Sequence, residues 1–197
     1  MDTKQLRQHI RQQRRELDIQ SRNEAVLQLC ERIANNKLFK QSQHIAMYLP
    51  NDGEMDLRLL IEHAWEQNKT CYLPVLAEPN VKRLWFIPYY PDSKLRNNKF
   101  GIPEPVHPRK MRMRKTLTLD LILMPLVAFD PQGNRIGMGG GFYDRTLAFL
   151  RTRQHWHKPN LVGVAYEFQK IAKISCNPWD IPLQAIATEN NIYLAGQ

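Results

Sequence analysis

Apolar positions recur along this chain with two distinct periods. At about 100° of rotation per residue, Leu6, Ile10 and Leu17 fall within roughly 40° of arc, and Lys4, Arg7, Arg11, Arg14 and Arg15 fill an adjacent arc of about 100°. That pattern predicts a first helix that docks along its apolar edge and shows a row of cations. A second helix is predicted from Ser21 as N-cap, with Glu24 at the capping-box position, through Val26, Leu27, Leu29, Cys30 and Ile33 to a stop at Asn35-Asn36. Leu57, Leu60, Ile61 and Ala64 share one face of a helix over 56–67, and another is expected from 142 to about 153. Between them lie short apolar runs at 44–49, 70–76, 84–90, 119–127, 161–166 and 185–194. Continuous runs such as Leu121-Ile122-Leu123-Met124 suit strands covered on both faces, so their alternation with helices predicts an α/β sandwich with a largely parallel central sheet.

Length and composition narrow the class. A chain of 197 residues fits one domain spanning 1–197 and can bury most of its apolar surface without staples. The longest apolar run, 121–129 with Pro125 inside it, is far short of the roughly 20 residues that cross a bilayer. No secretory signal pattern opens the sequence, and Cys30, Cys71 and Cys176 are odd in number and lack zinc spacing, so a reducing cytoplasm is expected. The net charge of +9 favours an anionic partner, and it is concentrated: from Lys94 to Lys115 eight basic residues face Glu104 alone. The stretch 91–108, rich in Pro and Gly, reads as a long surface excursion. In 109–115 cations (Arg109, Lys110, Arg112, Arg114, Lys115) alternate with methionines, which suits a nucleic-acid patch, a seat for an acidic ligand tail, or a strand edge guarded by charge.

The most informative segment follows the run at 119–127. A turn at Asp130-Pro131-Gln132-Gly133 leads to Gly137, Gly139, Gly140 and Gly141, and these run straight into a helix. Four glycines in five positions cost chain entropy, and packing alone rarely requires them. They allow successive N–H groups to curl around an anion at a helix start, for which phosphate is the natural guest; the bland alternative is a flexible hairpin tip. Neither G-x-x-x-x-G-K-[ST] nor G-x-G-x-x-G is present. Asp144 is placed either to cap the helix or to hold Mg2+ against phosphates. Glu54, in the turn after the run 44–49, is either a substrate contact or a turn residue, and Asp180 is either a second metal-facing carboxylate or a turn cap. His155 and His157 read as surface residues, and no activated nucleophile is apparent.

These residues together resemble one family. A basic first helix with Lys4 and Arg7, Tyr48-Leu49 leading to Glu54, Phe100-Gly101-Ile102-Pro103-Glu104-Pro105, the run 124–130 with Gly133-Asn134-Arg135, the loop 137–144, and Trp179-Asp180 resemble the 5-formyltetrahydrofolate cyclo-ligase family. The resemblance spans nearly the whole chain in order. It implies a three-layer α/β fold shared with sugar-phosphate isomerases and CoA transferases. It also implies an ATP- and Mg2+-dependent closure of 5-formyltetrahydrofolate to 5,10-methenyltetrahydrofolate through a phosphorylated formyl oxygen, in a monomer. Carried onto this sequence, Lys4, Gln5, Leu6, Arg7, Gln8 and Arg135, Ile136, Gly137, Met138, Gly139, Gly140, Gly141, Phe142 and Tyr143 are expected at ATP. Leu49, Glu54, Met138, Gly139, Gly140, Gly141 and Phe142 are expected at the folate, Asp144 and Asp180 at Mg2+, and Arg7 and Arg135 as the catalytic cations.

Two departures stand out. Many members read G-R-G-K-G-Y-Y-D where this chain has Gly137-Met138-Gly139-Gly140-Gly141-Phe142-Tyr143-Asp144, so an arginine and a lysine are missing. Their charge must then come from Arg7, Arg135, Arg145 or Mg2+. Some members also carry an acidic residue where Gln184 stands. The surplus of cations over 94–115 suits a polyglutamylated folate. The rival readings are a basic nucleic-acid-binding protein, which leaves the glycines and Asp144 unexplained, and a phosphate-binding isomerase or transferase on the same sheet.

Overall fold

A computed structural model of the protein describes residues 2–78, 81–106, 116–152 and 158–195. The cation–methionine stretch with Arg109, Lys110, Arg112, Arg114 and Lys115, together with His155 and His157, lies outside the described residues.

Helix α1 (Thr3–Glu16) is started by a capping box: the Asp2 carboxylate accepts from the Gln5 N–H, and the Gln5 side chain accepts from the Asp2 N–H. In α2 (Ile19–Asn35) the N-cap is Asp18 rather than Ser21. The Asp18 carboxylate takes the Ser21 N–H at 2.9 Å, and so the helix begins earlier than its apolar pattern suggested. The Asn35-Asn36 stop is also a start, because Asn36 caps α3 (Lys37–Gln41). There follow β1 (His44–Ala46), α4 (Arg58–Glu66), β2 (Thr70–Glu78), β3 (Val81–Tyr89), β4 (Leu95–Asn97), β5 (Pro103–Pro105), β6 (Leu121–Pro125), β7 (Ala128–Phe129) and β8 (Arg135–Ile136). The chain ends with α5 (Phe142–Thr146), a 3-10 turn (Ala148–Thr152), β9 (Asn160–Val164), β10 (Ala185–Ala187) and β11 (Ile192–Leu194).

Seven strands form one sheet in the order β11-β10-β9-β6-β1-β2-β3. The inner strands pair parallel as predicted, whereas β3 and β11 close the edges antiparallel. Alternate side chains leave opposite faces. Ile45, Leu73, Leu121, Leu123 and Val162 pack under α2, α3 and α4, while Ala46, Tyr72, Ile122, Met124 and Ile186 pack against Phe129, Leu147, Ile181 and Leu183. This second covering layer is thin, built from α5, the β7–β8 hairpin and the 181–183 segment. No described helix is long and apolar enough to cross a membrane.

Several boundaries depart from the apolar runs. The run 119–127 holds β6 and the buried Leu126-Val127 turn that leads to β7, a turn as apolar as the strand before it, and 185–194 is an antiparallel pair joined by the polar turn Thr188-Glu189-Asn190-Asn191. The helix expected from 142 to 153 is a five-residue α5 followed by a 3-10 turn. The excursion 91–108 holds a small antiparallel hairpin of β4 and β5. The row of cations on α1 is displayed to solvent only in part: Lys4 and Arg15 are exposed, whereas Arg14 is fully buried and Arg7 and Arg11 are half-buried.

The turn between β7 and β8 shows how tightly the site is framed. The buried Asp130 carboxylate accepts from the N–H groups of Gln132 and Asn134 at 3.1 Å and of Ile174 at 2.9 Å, tying the hairpin to the 171–175 segment. Gly133 sits at φ +87°, and an added Cβ would lie 2.6 Å from the Leu183 carbonyl oxygen. Gly133→Ala is therefore expected to cost about 2–3 kcal/mol through strain and backbone clash, read as a lowered midpoint in urea unfolding.

Candidate active site

In an open α/β sheet, ligands collect beyond the carboxyl ends of the strands where the winding reverses. Here the chain winds from β1 outward to β2 and β3, then returns to the other side of β1 with β6. A cleft of about 1120 Å³ opens at that point. Its floor is the segment after β1, with Tyr48, Leu49 and Glu54, and its wall is the segment from Arg135 to Arg145.

The glycine loop is shaped by its own backbone. Gly139 (φ +93°) and Gly141 (φ +64°) are both left-handed, and Gly141 in that conformation leads into α5. Two guanidinium groups hold the loop from behind. Arg7 Nε donates to the Gly137 carbonyl at 2.8 Å, and Arg145 Nη1 donates to the carbonyls of Gly140 at 2.8 Å and Gly141 at 3.1 Å. With its carbonyls held by cations, the loop leaves the N–H groups of Gly139, Gly140 and Gly141 without an acceptor among the described residues. This geometry suits an anion. The short α5 contributes less dipole than the longer predicted helix, so bare N–H groups and the two arginines carry most of the positive field.

Arg135 is almost wholly buried. Its guanidinium donates to Asp144 Oδ1 at 2.5 Å and to the Ile181 carbonyl, and Asp144 Oδ1 also accepts weakly from the Ile181 N–H at 3.5 Å. Asp144 thus joins the glycine loop to the 177–181 loop. Its other oxygen, Oδ2, has no partner among the described residues. Asp180 lines the same cleft, and its Oδ2 accepts the Asn177 N–H at 2.8 Å, a turn cap that leaves Oδ1 open. No cluster of three or more metal-ligating side chains occurs among the described residues. A divalent ion held here must take most of its ligands from phosphate and water, the usual manner of Mg2+, and two carboxylates with open oxygens fit that role.

Across the cleft, Glu54 is fixed by the Asn51 N–H, which donates to Oε2 at 3.1 Å. Burial raises its pKa to about 7, against the opposing pull of the Arg14 guanidinium. Two neighbouring phenols, Tyr48 and Tyr143, are also pushed up by burial and by the Glu54 charge. The β4–β5 hairpin borders the opening: Glu104 accepts from Leu76 N at 2.9 Å and from Asn98 Nδ2 at 2.7 Å, and Phe100 meets the Phe142 ring edge-on with centroids 6.0 Å apart.

Of the residues singled out from sequence, the cleft brings together Leu6, Arg7, Leu49, Glu54, the segment 135–144 and Asp180. Lys4, Gln5 and Gln8 are exposed and do not line it; Gln5 is engaged in capping α1. Sequence reasoning missed Arg83, Arg151 and Lys173, three further cations on the lining, because isolated basic residues carry no spacing signal. It also missed the buried Arg14, which the row of cations on α1 disguised.

The sequence profile of the 5-formyltetrahydrofolate cyclo-ligase family matches residues 1–189. The chain belongs to that family. A 5-formyltetrahydrofolate cyclo-ligase of Haemophilus influenzae is 39% identical over 184 residues, covering 91% of this chain and 93% of the relative. One from Escherichia coli strain K12 is 39% identical over 189 residues, 93% of this chain and 98% of the relative. The solved structure of Aquifex aeolicus 5,10-methenyltetrahydrofolate synthetase superposes with a TM-score of 0.82 at 30% identity, covering 100% of this chain and 94% of that one. This chain is therefore an enzyme of the 5-formyltetrahydrofolate cyclo-ligase family with the mostly parallel α/β fold of its structural relatives, and an expectation drawn from ordered motifs is met.

Proposed function

We propose that this enzyme closes 5-formyltetrahydrofolate to 5,10-methenyltetrahydrofolate at the expense of ATP, with Mg2+ as cofactor. The observation that carries this reading is one cleft in which an anion-binding glycine loop, braced by Arg7 and Arg145, faces the buried carboxyl of Glu54. The formyl oxygen, double-bonded to a carbon that is itself bonded to N5, is a poor leaving group. Transfer of the γ-phosphoryl group breaks its bond to ADP and forms a bond to that oxygen. The N10 lone pair then attacks the formyl carbon, and the carbon–oxygen bond to phosphate breaks with loss of the N10 proton. No enzyme nucleophile is required, so the protein's part is positioning and neutralisation of charge.

In this reading the N–H groups of 137–143 take the triphosphate, with Arg7 placed to reach it from the carbonyl side of the loop. Arg135 holds Asp144 in place, and Asp144 and Asp180 hold Mg2+, which when bound neutralises charge on the phosphates. Glu54, Leu49, Met138 and Phe142 receive the folate. Exposed Lys94, Arg96 and Lys99 on the hairpin beside the cleft suit an acidic polyglutamate tail. We read the enzyme as a single-domain cytoplasmic monomer.

Absorbance at the methenyl band tests the reading directly. The band is expected to appear only with ATP and Mg2+ present together, with one phosphate released per product; product formed without nucleotide, or none at all, overturns it. Arg7→Ala should raise KM for ATP or lower kcat by about 10–100-fold. Among the described residues it loses one hydrogen bond, to the Gly137 carbonyl, so the melting temperature should move by no more than about 2–4 °C, the equivalent of about 1 kcal/mol. A large thermal shift with unaltered kinetics would make Arg7 a structural residue.

A further inference from the structure

The row of cations on α1 ends on one carboxylate. Arg7, Arg11, Arg14 and Arg15 recur at three- and four-residue spacing on adjoining faces of the helix, where like charges repel. Asp52 absorbs three of them: Arg11 Nε lies 2.5 Å from Oδ2, Arg14 Nη2 3.1 Å from the same oxygen, and Arg15 Nε 2.6 Å from Oδ1. The fourth, Arg7, reaches the glycine loop at Gly137. Apart from Arg14, the helix buries only Ile10, so apolar packing contributes little to holding it.

The turn that offers Asp52 is built for this contact. Asp52 (φ +52°) and Gly53 (φ +73°) are consecutive left-handed residues, and an added Cβ on Gly53 would lie 3.1 Å from the Arg14 carbonyl oxygen, so helix backbone rests directly on turn backbone. The same turn carries the cleft's carboxyl. Glu54 N donates to the Asn51 carbonyl at 3.1 Å, and Asn51 N donates back to Glu54 Oε2 at 3.1 Å. One four-residue turn therefore seats α1 on one side and sets Glu54 on the other.

We propose that Asp52 is a positioning residue for the reaction: through it α1 is seated so that Arg7 meets the glycine loop, and the turn is held so that Glu54 faces the cleft. The assignment of the reaction rests on the function proposed above; the seating of α1 does not. Loss of the seat lowers the fraction of molecules with Arg7 in place, and apparent affinity falls with that fraction.

Two variants and two measurements test this. In Asp52→Asn, amide hydrogen exchange over residues 5–15 is expected to quicken at least tenfold, KM for ATP to rise at least fivefold and kcat to fall at least tenfold. Because Asp52→Asn leaves the buried Arg14 underpaired and is the variant at risk of not folding, the double variant Arg11→Ala/Arg15→Ala keeps the Arg14–Asp52 pair. It is expected to show the same changes at about threefold, with the exchange of β6 and β9 unaltered. Exchange in α1 and kinetic constants within 1.5-fold of wild type in the double variant would overturn the proposal, as would faster exchange with unchanged kinetics. Hydrogen exchange needs no substrate, so a wild-type protein that forms no methenyl product defeats the proposed reaction alone, while exchange still decides whether Asp52 seats the helix.

Discussion

Asp144→Asn lowers kcat at least a hundredfold and raises the Mg2+ concentration needed for half-maximal rate. The expectation follows from the two duties its geometry gives one carboxylate. Oδ1 receives the guanidinium of the buried Arg135 at 2.5 Å and the Ile181 N–H, which leaves Oδ2 open toward the cleft. The amide of asparagine retains an acceptor for Arg135, so loop geometry should largely survive, but it withdraws the negative charge that a divalent ion needs. Arg135 is then less well compensated. A buried pair broken on one side costs about 3–5 kcal/mol, and the partial exposure of Asp144, with the retained acceptor, reduces that to about 1–2 kcal/mol, or roughly 2–8 °C in melting temperature. Titrating Mg2+ against initial rate in both proteins decides the matter. An unchanged Mg2+ response beside a lowered melting temperature would leave Asp144 with the single task of holding Arg135.

How much of this was legible in the sequence depends on which force shaped each part. The parallel core strands declared themselves because a strand buried on both faces must be apolar at every position, as in Leu121-Ile122-Leu123-Met124. The glycine loop was legible because glycine alone enters left-handed backbone without steric cost, as it does twice within three residues at Gly139 and Gly141. The edges were not. β3 and β11 run antiparallel to the strands they pair with, a direction that no local pattern encodes, and the buried turn after β6 is as apolar as the strand before it. The chief error about the site concerned α1, where a solvated face and a row of guanidiniums converging on Asp52 have the same spacing. What distinguishes them is a carboxylate some forty residues away in the chain, and one sequence read alone does not reveal that meeting. Arg7 and Glu54, named from the family resemblance, both line the cleft, a meeting that periodicity could not supply.

Glu54→Gln separates stability from activity through pH. Burial raises the Glu54 pKa from the usual 4.5 to about 7, with Arg14 and Arg11 drawing it down and Asp52 pushing it up; the phenols of Tyr48 and Tyr143 lie beside it. Below pH 4.5 both folded and unfolded chains hold the proton and the group is neutral in effect. From 4.5 to about 7 the unfolded chain releases it first, so the folded state binds more protons and stability falls as pH rises, levelling above 7. A shift of this size corresponds to roughly 3 kcal/mol. Glutamine has no charge to bury, so the variant should lose this slope and be more stable at pH 8 by about 1–3 kcal/mol, measured by urea unfolding at pH 5 and pH 8. Catalysis should move the opposite way. If the carboxylate is the form that accepts hydrogen bonds from the folate, kcat/KM for the folate climbs with pH through about 7 in wild type. The variant should lack that limb and sit at least a hundredfold lower, because donors on the bound ligand are left unpaired. A variant that is stabilised yet retains wild-type kcat/KM would show that the turn tolerates a costly buried acid for some purpose other than the substrate. A variant destabilised at pH 8 would show that the hydrogen bond from Asn51 outweighs the desolvation of the charge.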